Sequence, residues 1–140
     1  MQLTIAYLFE DDSINAPGAK VRERQLEIAK RYRAKAEEID AMIVKTGGSE
    51  MDLETEARDR LDILIQRTEG VGWHEDLMRV HIVFGIIEDA MRRVAKGLSP
   101  ARRIKVEAML LDETLETFCH EERSKAIAES PEIAGRLAMF

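Results

Sequence analysis

Apolar residues recur at helical spacing along most of this chain. Val21, Ile28, Tyr32, Ala36, Ile39 and Ile43 stand three, four and seven residues apart. They line one face of a helix predicted from about Lys20 to Thr46. Gly47-Gly48 closes that helix, and Ser49 with Asp52 three residues on opens a second, as a variant of the capping box. Leu53, Ala57, Leu61, Leu64 and Ile65 form its inner stripe. Gly70-Val71-Gly72 breaks the chain again. A third helix follows from about Trp73 to Lys96, with Leu77, Val80, Val83, Phe84, Ile87, Met91 and Val94 on one broad face. Ile82 and Ile86 fall on the opposite side, so its middle is apolar nearly all round. Such a helix is central or meets another subunit.

Gly97-Leu98-Ser99-Pro100 ends one helix and starts the next: glycine past the end, serine as N-cap, proline in the first turn. The fourth helix is predicted to run unbroken to about Ala128, with Ile104, Ala108, Leu111, Leu115 and Phe118 inward and Met109 and Leu110 off that face. Ser130-Pro131-Glu132 repeats the start signal and opens a short terminal helix. The first nine residues are apolar throughout and read as a strand or extended arm, followed by a polar loop over residues 10–18. The pattern as a whole is all-α: an antiparallel four-helix bundle or paired helical hairpins, with a short C-terminal helix and an extended N-terminal arm. One domain is expected, with an arm and loop over 1–19, a four-helix core over 20–128 and a terminal helix over 129–140.

The length of 140 residues fits a single domain. Aromatics are only 5% of the chain, so its core must be aliphatic. The one cysteine, Cys119, has no internal disulfide partner, and the start of the chain lacks a signal peptide's basic region. The longest uncharged central stretch, Val80 to Ile87, is too short to span a bilayer. A soluble cytoplasmic protein without membrane contact is expected.

Charge changes the picture locally. The net charge is −6, which argues against sequence-blind binding to nucleic acid. Residues 36–62 carry nine acids and three bases, whereas residues 91–105 carry six bases and no acid. An up-down bundle puts both blocks at one end, where they neutralise each other. Arg92, Arg93, Lys96, Arg102 and Arg103 make the basic turn a candidate for binding an anion or an acidic surface. Arg102 and Arg103 lie in a first helical turn, where the helix dipole favours anions. No aromatic residues interleave for stacking on bases.

His74, His81 and Glu88 are seven residues apart and form a stripe along the third helix, with Gly85 and Arg92 beside it. In His81-Ile82-Val83-Phe84-Gly85 the histidine and glycine resemble the signature of histidine phosphotransfer domains, which are acidic four-helix bundles. The resemblance implies phosphotransfer through His81. Phe84 stands where that family carries lysine, which removes the cation beside the phosphoryl group. The plainer alternative is a boundary histidine hydrogen-bonded at the core's edge.

Glu37-Glu38-Ile39-Asp40 and Glu56-Ala57-Arg58-Asp59 resemble the paired acidic motifs of MazG-type all-α nucleotide pyrophosphohydrolases. That resemblance implies Mg²⁺-dependent hydrolysis through carboxylates of residues 37–62. The first motif has Asp where that family has Glu, and helical phase turns Glu56 and Asp59 away from Leu53, Leu61 and Leu64. A solvated acidic face is the simpler expectation.

Ferritin-type di-iron bundles need Glu followed three residues later by His. His74, His81 and His120 all lack it. No metal, cofactor or catalytic residue is therefore expected. Cys119 and His120 project about 100° apart around a helix, which does not make a nucleophile–base pair.

The apolar chain ends and the third helix point instead to an interface. Its candidates are Ile5, Tyr7, Phe9, Ile82, Ile86, Ile133, Leu137 and Phe140. The function expected from the sequence is a non-enzymatic interaction or regulatory module, forming a homodimer or binding a protein partner.

Overall fold

A computed structural model describes residues 2–44, 63, 65–68 and 70–139. Among them the helices are α1 (Gln2–Asp12), α2 (Ala19–Val44), α3 (Trp73–Ala95), α4 (Pro100–Leu110), α5 (Thr114–Glu129) and α6 (Pro131–Leu137). No strand occurs among the described residues. The all-α bundle expected from the periodicity is the architecture observed.

The N-terminal segment corrects the sequence reading. It is neither a strand nor an extended arm but helix α1, which runs to Asp12 and passes into a 3₁₀ turn over Ser13–Asn15. Ile5, Ala6, Leu8 and Phe9 are buried by this helix. A run that is apolar at every position shows no period-2 or period-3.6 contrast, so the pattern cannot choose between strand and helix. Docking chooses: as a helix the segment closes its own backbone hydrogen bonds and needs no strand partner.

Helices α1, α2, α3 and α5 enclose one core. Trp73 Nε1 donates to Gln25 Oε1 at 3.0 Å, and the Tyr32 and Phe84 rings meet edge to face at 5.6 Å. Residue numbers rise together along both elements, so α2 and α3 run in the same sense. Helix α5 runs against both. Cys119 lies beside the Leu77 carbonyl, and Glu121 pairs with Arg24. Arg136 on α6 reaches Glu75 at 3.0 Å, fastening the terminal helix to the start of α3. Ser130 caps α6 as expected, its Oγ accepting from the Ile133 N–H at 3.3 Å.

The predicted fourth helix is two helices. The chain breaks at Leu111-Asp112-Glu113, where Asp112 accepts from the Thr114 N–H at 3.1 Å and from its hydroxyl. Asp112 also pairs with Arg31 and Lys35, each at 2.7 Å. No glycine or proline marks this break; a short acidic side chain that bonds the backbone two residues on makes it. The break resets the helical phase. Leu110 is buried, while Ile104 and Leu111, expected inward, are 67% and 76% exposed. Val94, also expected inward, is exposed at the end of α3. Most of the second predicted helix, with Leu53, Ala57, Leu61 and Leu64, lies outside the described residues; residues 65–67 are helical, and Ile65 packs against the core as expected.

Candidate functional site

The His81 region gathers ionisable side chains from two helices around a cavity. His81 comes from the middle of α3. Glu116, Thr117, Cys119, His120 and Arg123 come from the first turns of α5, which crosses it antiparallel. Together with Met78 and Glu113 they line a cavity of about 360 Å³. One face of α5 buries Leu115, Phe118 and Cys119, so Glu116 and His120 are left on the adjoining, exposed side.

His81 is half-buried, and its Nδ1 is enclosed without a hydrogen-bond partner. Burial lowers its basicity, and Arg123 and His120 add to that while Glu116 opposes it. The ring is thus held toward its neutral form. An Arg123 guanidinium N–H donates to His120 Nδ1 at 3.1 Å. Cys119 is nearly enclosed, and burial pushes its thiol up to about 12. A thiol so protonated is a poor nucleophile. The cavity can therefore offer hydrogen bonds, a guanidinium charge and a neutral imidazole, but not a thiolate.

The remaining stripe residues do not converge on His81. His74 lies against Trp73, with ring centroids 5.0 Å apart, near the α6 end of the bundle. Burial lowers its basicity as well. Glu88 holds Arg92 at 2.8 Å, one turn further along α3. Gly85 faces open space, with no neighbouring side chain where a Cβ would stand. Arg93, Lys96, Arg102 and Arg103 are all exposed, and Arg103 pairs with Glu107. The acidic motif is only partly visible: Glu37 is exposed on α2, while Glu56 and Asp59 lie outside the described residues.

The interface candidates divide. Ile5 and Phe9 are fully buried in the chain's own core, so they are corrected from interface to core residues. Phe9 packs on Phe118, centroids 5.8 Å apart. Tyr7, Ile82 and Ile86 are exposed at 64%, 42% and 48%. Ile133 and Leu137 are half-buried on α6, and Phe140 lies outside the described residues.

The family profile described as "Ferritin-like domain, actinomycetes" matches residues 7–140. The chain belongs to that ferritin-like family. No individually curated protein matches it. Bundles of the ferritin kind can hold a di-iron centre through inward carboxylates and Glu-x-x-His pairs. In this ferritin-like domain no histidine follows a glutamate at that spacing. The buried acids are each held by a cation: Asp12 by Arg79, Glu75 by Arg136, Glu122 by Lys125. Among the described residues no three His, Cys, Asp or Glu groups converge on a metal position. The described part of this ferritin-like domain does not fit such a centre.

The cavity itself was not legible in the sequence. His81 stands out on α3 through its stripe with His74 and Glu88, whereas Glu116 and Arg123 carry no such mark on α5. Nothing local to either helix says that the two faces adjoin. The antiparallel crossing of α3 and α5 brings them together.

Proposed function

We propose that this ferritin-like domain is a non-enzymatic interaction module that self-associates through the outer face of α3. One observation carries this: Ile82 and Ile86, one turn apart on the central helix, remain 42% and 48% exposed. Gly85 lies between them with open space over its Cα. A glycine in mid-helix is unfavourable by about 1 kcal/mol relative to alanine, and no intrachain contact recovers that here. Close approach of a second helix would use it. A two-fold crossing of two α3 helices centred beside Gly85 sets Ile82 against the partner's Ile86, an isologous contact that closes on itself. The buried Cys119 thiol beside His81, pushed up to about 12, offers no ready thiolate, which is in keeping with this reading.

Sedimentation equilibrium of the full chain tests the reading. The expected result is a dimer that Ile82→Glu or Ile86→Glu converts to a folded monomer. A wild-type chain that stays monomeric at every accessible concentration overturns it.

A further inference from the structure

Helix α4 is apolar on two opposite sides. Val106 and Leu110 turn inward, Leu110 into the core itself. Ala101, Ile104 and Ala108, with Leu111 one residue past the helix, share an arc of about 80° on the other side. All four are exposed, Ile104 at 67% and Leu111 at 76%. Nothing in the chain's own core requires this second stripe.

Cations border it. Arg103 and Lys105 lie about 100° to either side of Ile104. Arg102 shares their helical turn, and Arg93 and Lys96 precede them in the sequence; all are exposed. Between Met91 and Leu111 the one acid is Glu107, and Arg103 holds it at 2.7 Å. Among the described residues, Arg93, Lys96, Arg102 and Lys105 make no ion pair. Arg102, like Arg103, belongs to the first turn of α4, where it opposes the helix dipole. They are placed against local electrostatics in a chain whose net charge is −6.

An anionic partner satisfies the cations, but the aliphatic stripe narrows the choice. A nucleic-acid backbone attracts Arg and Lys, yet offers nothing to Ile104 and Leu111, and this stripe has no aromatic ring to stack on bases. The same surface of a second copy brings like charges together. An acidic face elsewhere on a second copy makes a head-to-tail contact that does not close. An anionic bilayer rewards both features at once. Its headgroups attract the cations, and Ile104 and Leu111 enter the boundary with the acyl chains. The stems of Arg103 and Lys105 cover apolar surface while their charges stay at the headgroups.

We infer that the outer face of α4 is a peripheral docking site for an anionic lipid surface. No helix among the described residues is long and apolar enough to cross a membrane, so the contact stays at headgroup depth.

Vesicle co-sedimentation of the full chain provides the test, comparing phosphatidylcholine alone with phosphatidylcholine containing about 30 mol % phosphatidylglycerol. At about 50 mM salt, binding to the anionic vesicles is expected to be at least about tenfold stronger, and to be lost at about 500 mM. The double variant Arg102→Glu/Lys105→Glu is expected to abolish binding. Ile104→Ser/Leu111→Ser is expected to weaken it by about tenfold or more at fixed salt. These side chains are exposed, so circular dichroism should show all variants folded. No binding at low salt overturns the inference, as does binding that either double variant leaves unchanged. Equal binding to soluble polyglutamate, insensitive to the Ile104/Leu111 change, would assign the site to an acidic protein and also overturn it.

Discussion

Trp73 Nε1 donates a 3.0 Å hydrogen bond to the side-chain oxygen of Gln25, and Gln25 is fully buried. The bond joins the first residue of α3 to the first half of α2. It settles where α3 enters the bundle, and with it the heights of His74, His81 and Ile82. Replacing Gln25 by alanine leaves the indole N–H buried without its acceptor and opens a void. The expected loss is about 2–4 kcal/mol of stability, measured by urea unfolding. A Gln25→Ala protein as stable as wild type would show that the bond does not hold this junction.

Asp12 and Arg79 form a buried pair at 3.0 Å, with Asp76 as a second partner of Arg79 at 3.2 Å. Burial lifts the Asp12 carboxyl from its ordinary 3.8 to about 7, with Arg79 pulling the other way and Asp76 and Asp11 pushing further up. Between those two values the folded state binds a proton that the unfolded chain has released. Stability from this group is thus greatest in acid and declines as pH rises from about 4 to about 7. His74 and His81, whose basicity is lowered by burial, act oppositely, losing stability as pH falls below about 6.5. The difference between wild type and Asp12→Asn isolates the carboxyl. That difference is expected to change with pH across the window, by urea unfolding at several pH values; a flat difference refutes it. Asp12→Ala is expected to cost about 1–3 kcal/mol, because a buried hydrogen bond to Arg79 is lost while Asp76 still pairs with it.

Asp112 accepts from the Thr114 N–H in a turn just ahead of α5 and pairs with Arg31 and Lys35. Burial alone would raise its carboxyl, but Lys35 and the Thr114 donors outweigh it and hold the group well below the usual carboxylate range. Its contribution is present above about pH 4 and lost as pH falls toward the depressed folded value. Asp112→Ala is expected to lose about 1–2 kcal/mol at neutral pH through the lost Thr114 hydrogen bonds and the Lys35 pair. In acid the variant and wild type should converge. Thermal unfolding at neutral and acidic pH gives both numbers.

Two glycines should respond oppositely to alanine. A Cβ on Gly70 would collide with the Glu75 Cβ and come within 3.0 Å of the Asp76 backbone nitrogen, so Gly70→Ala is expected to destabilise by about 1–3 kcal/mol. Gly85 meets nothing within 4 Å, so Gly85→Ala should stabilise the folded chain by up to about 1 kcal/mol. The same change should weaken the proposed α3–α3 dimer. Unfolding and sedimentation of the two variants separate the effects.

Cys119 is expected to resist a water-soluble thiol reagent in the native protein and to react fully in urea, because it is enclosed and its thiol is pushed up to about 12. Fast native labelling would show that the core beside His81 opens.

Periodicity alone determined α2 and α3. Residues 20–46 and 73–96 were legible because one face of each must be apolar to pack and the other polar to meet water. Ser130-Pro131 was legible because a cap and a proline are local chemistry. Ile82 and Ile86 were assigned to the outer side of α3 by phase alone, and they stand there. The tertiary structure decided what has no local signal. It made α1 a helix, since an all-apolar run takes the form that its docking surface accepts. It broke the chain at Asp112, where Arg31 and Lys35 on a distant helix reward a carboxylate that local pattern reads as one more helical position. It set His81 beside Glu116, His120 and Arg123, because the crossing of α3 and α5 depends on which side chains interlock in the core, and no spacing within either helix encodes that.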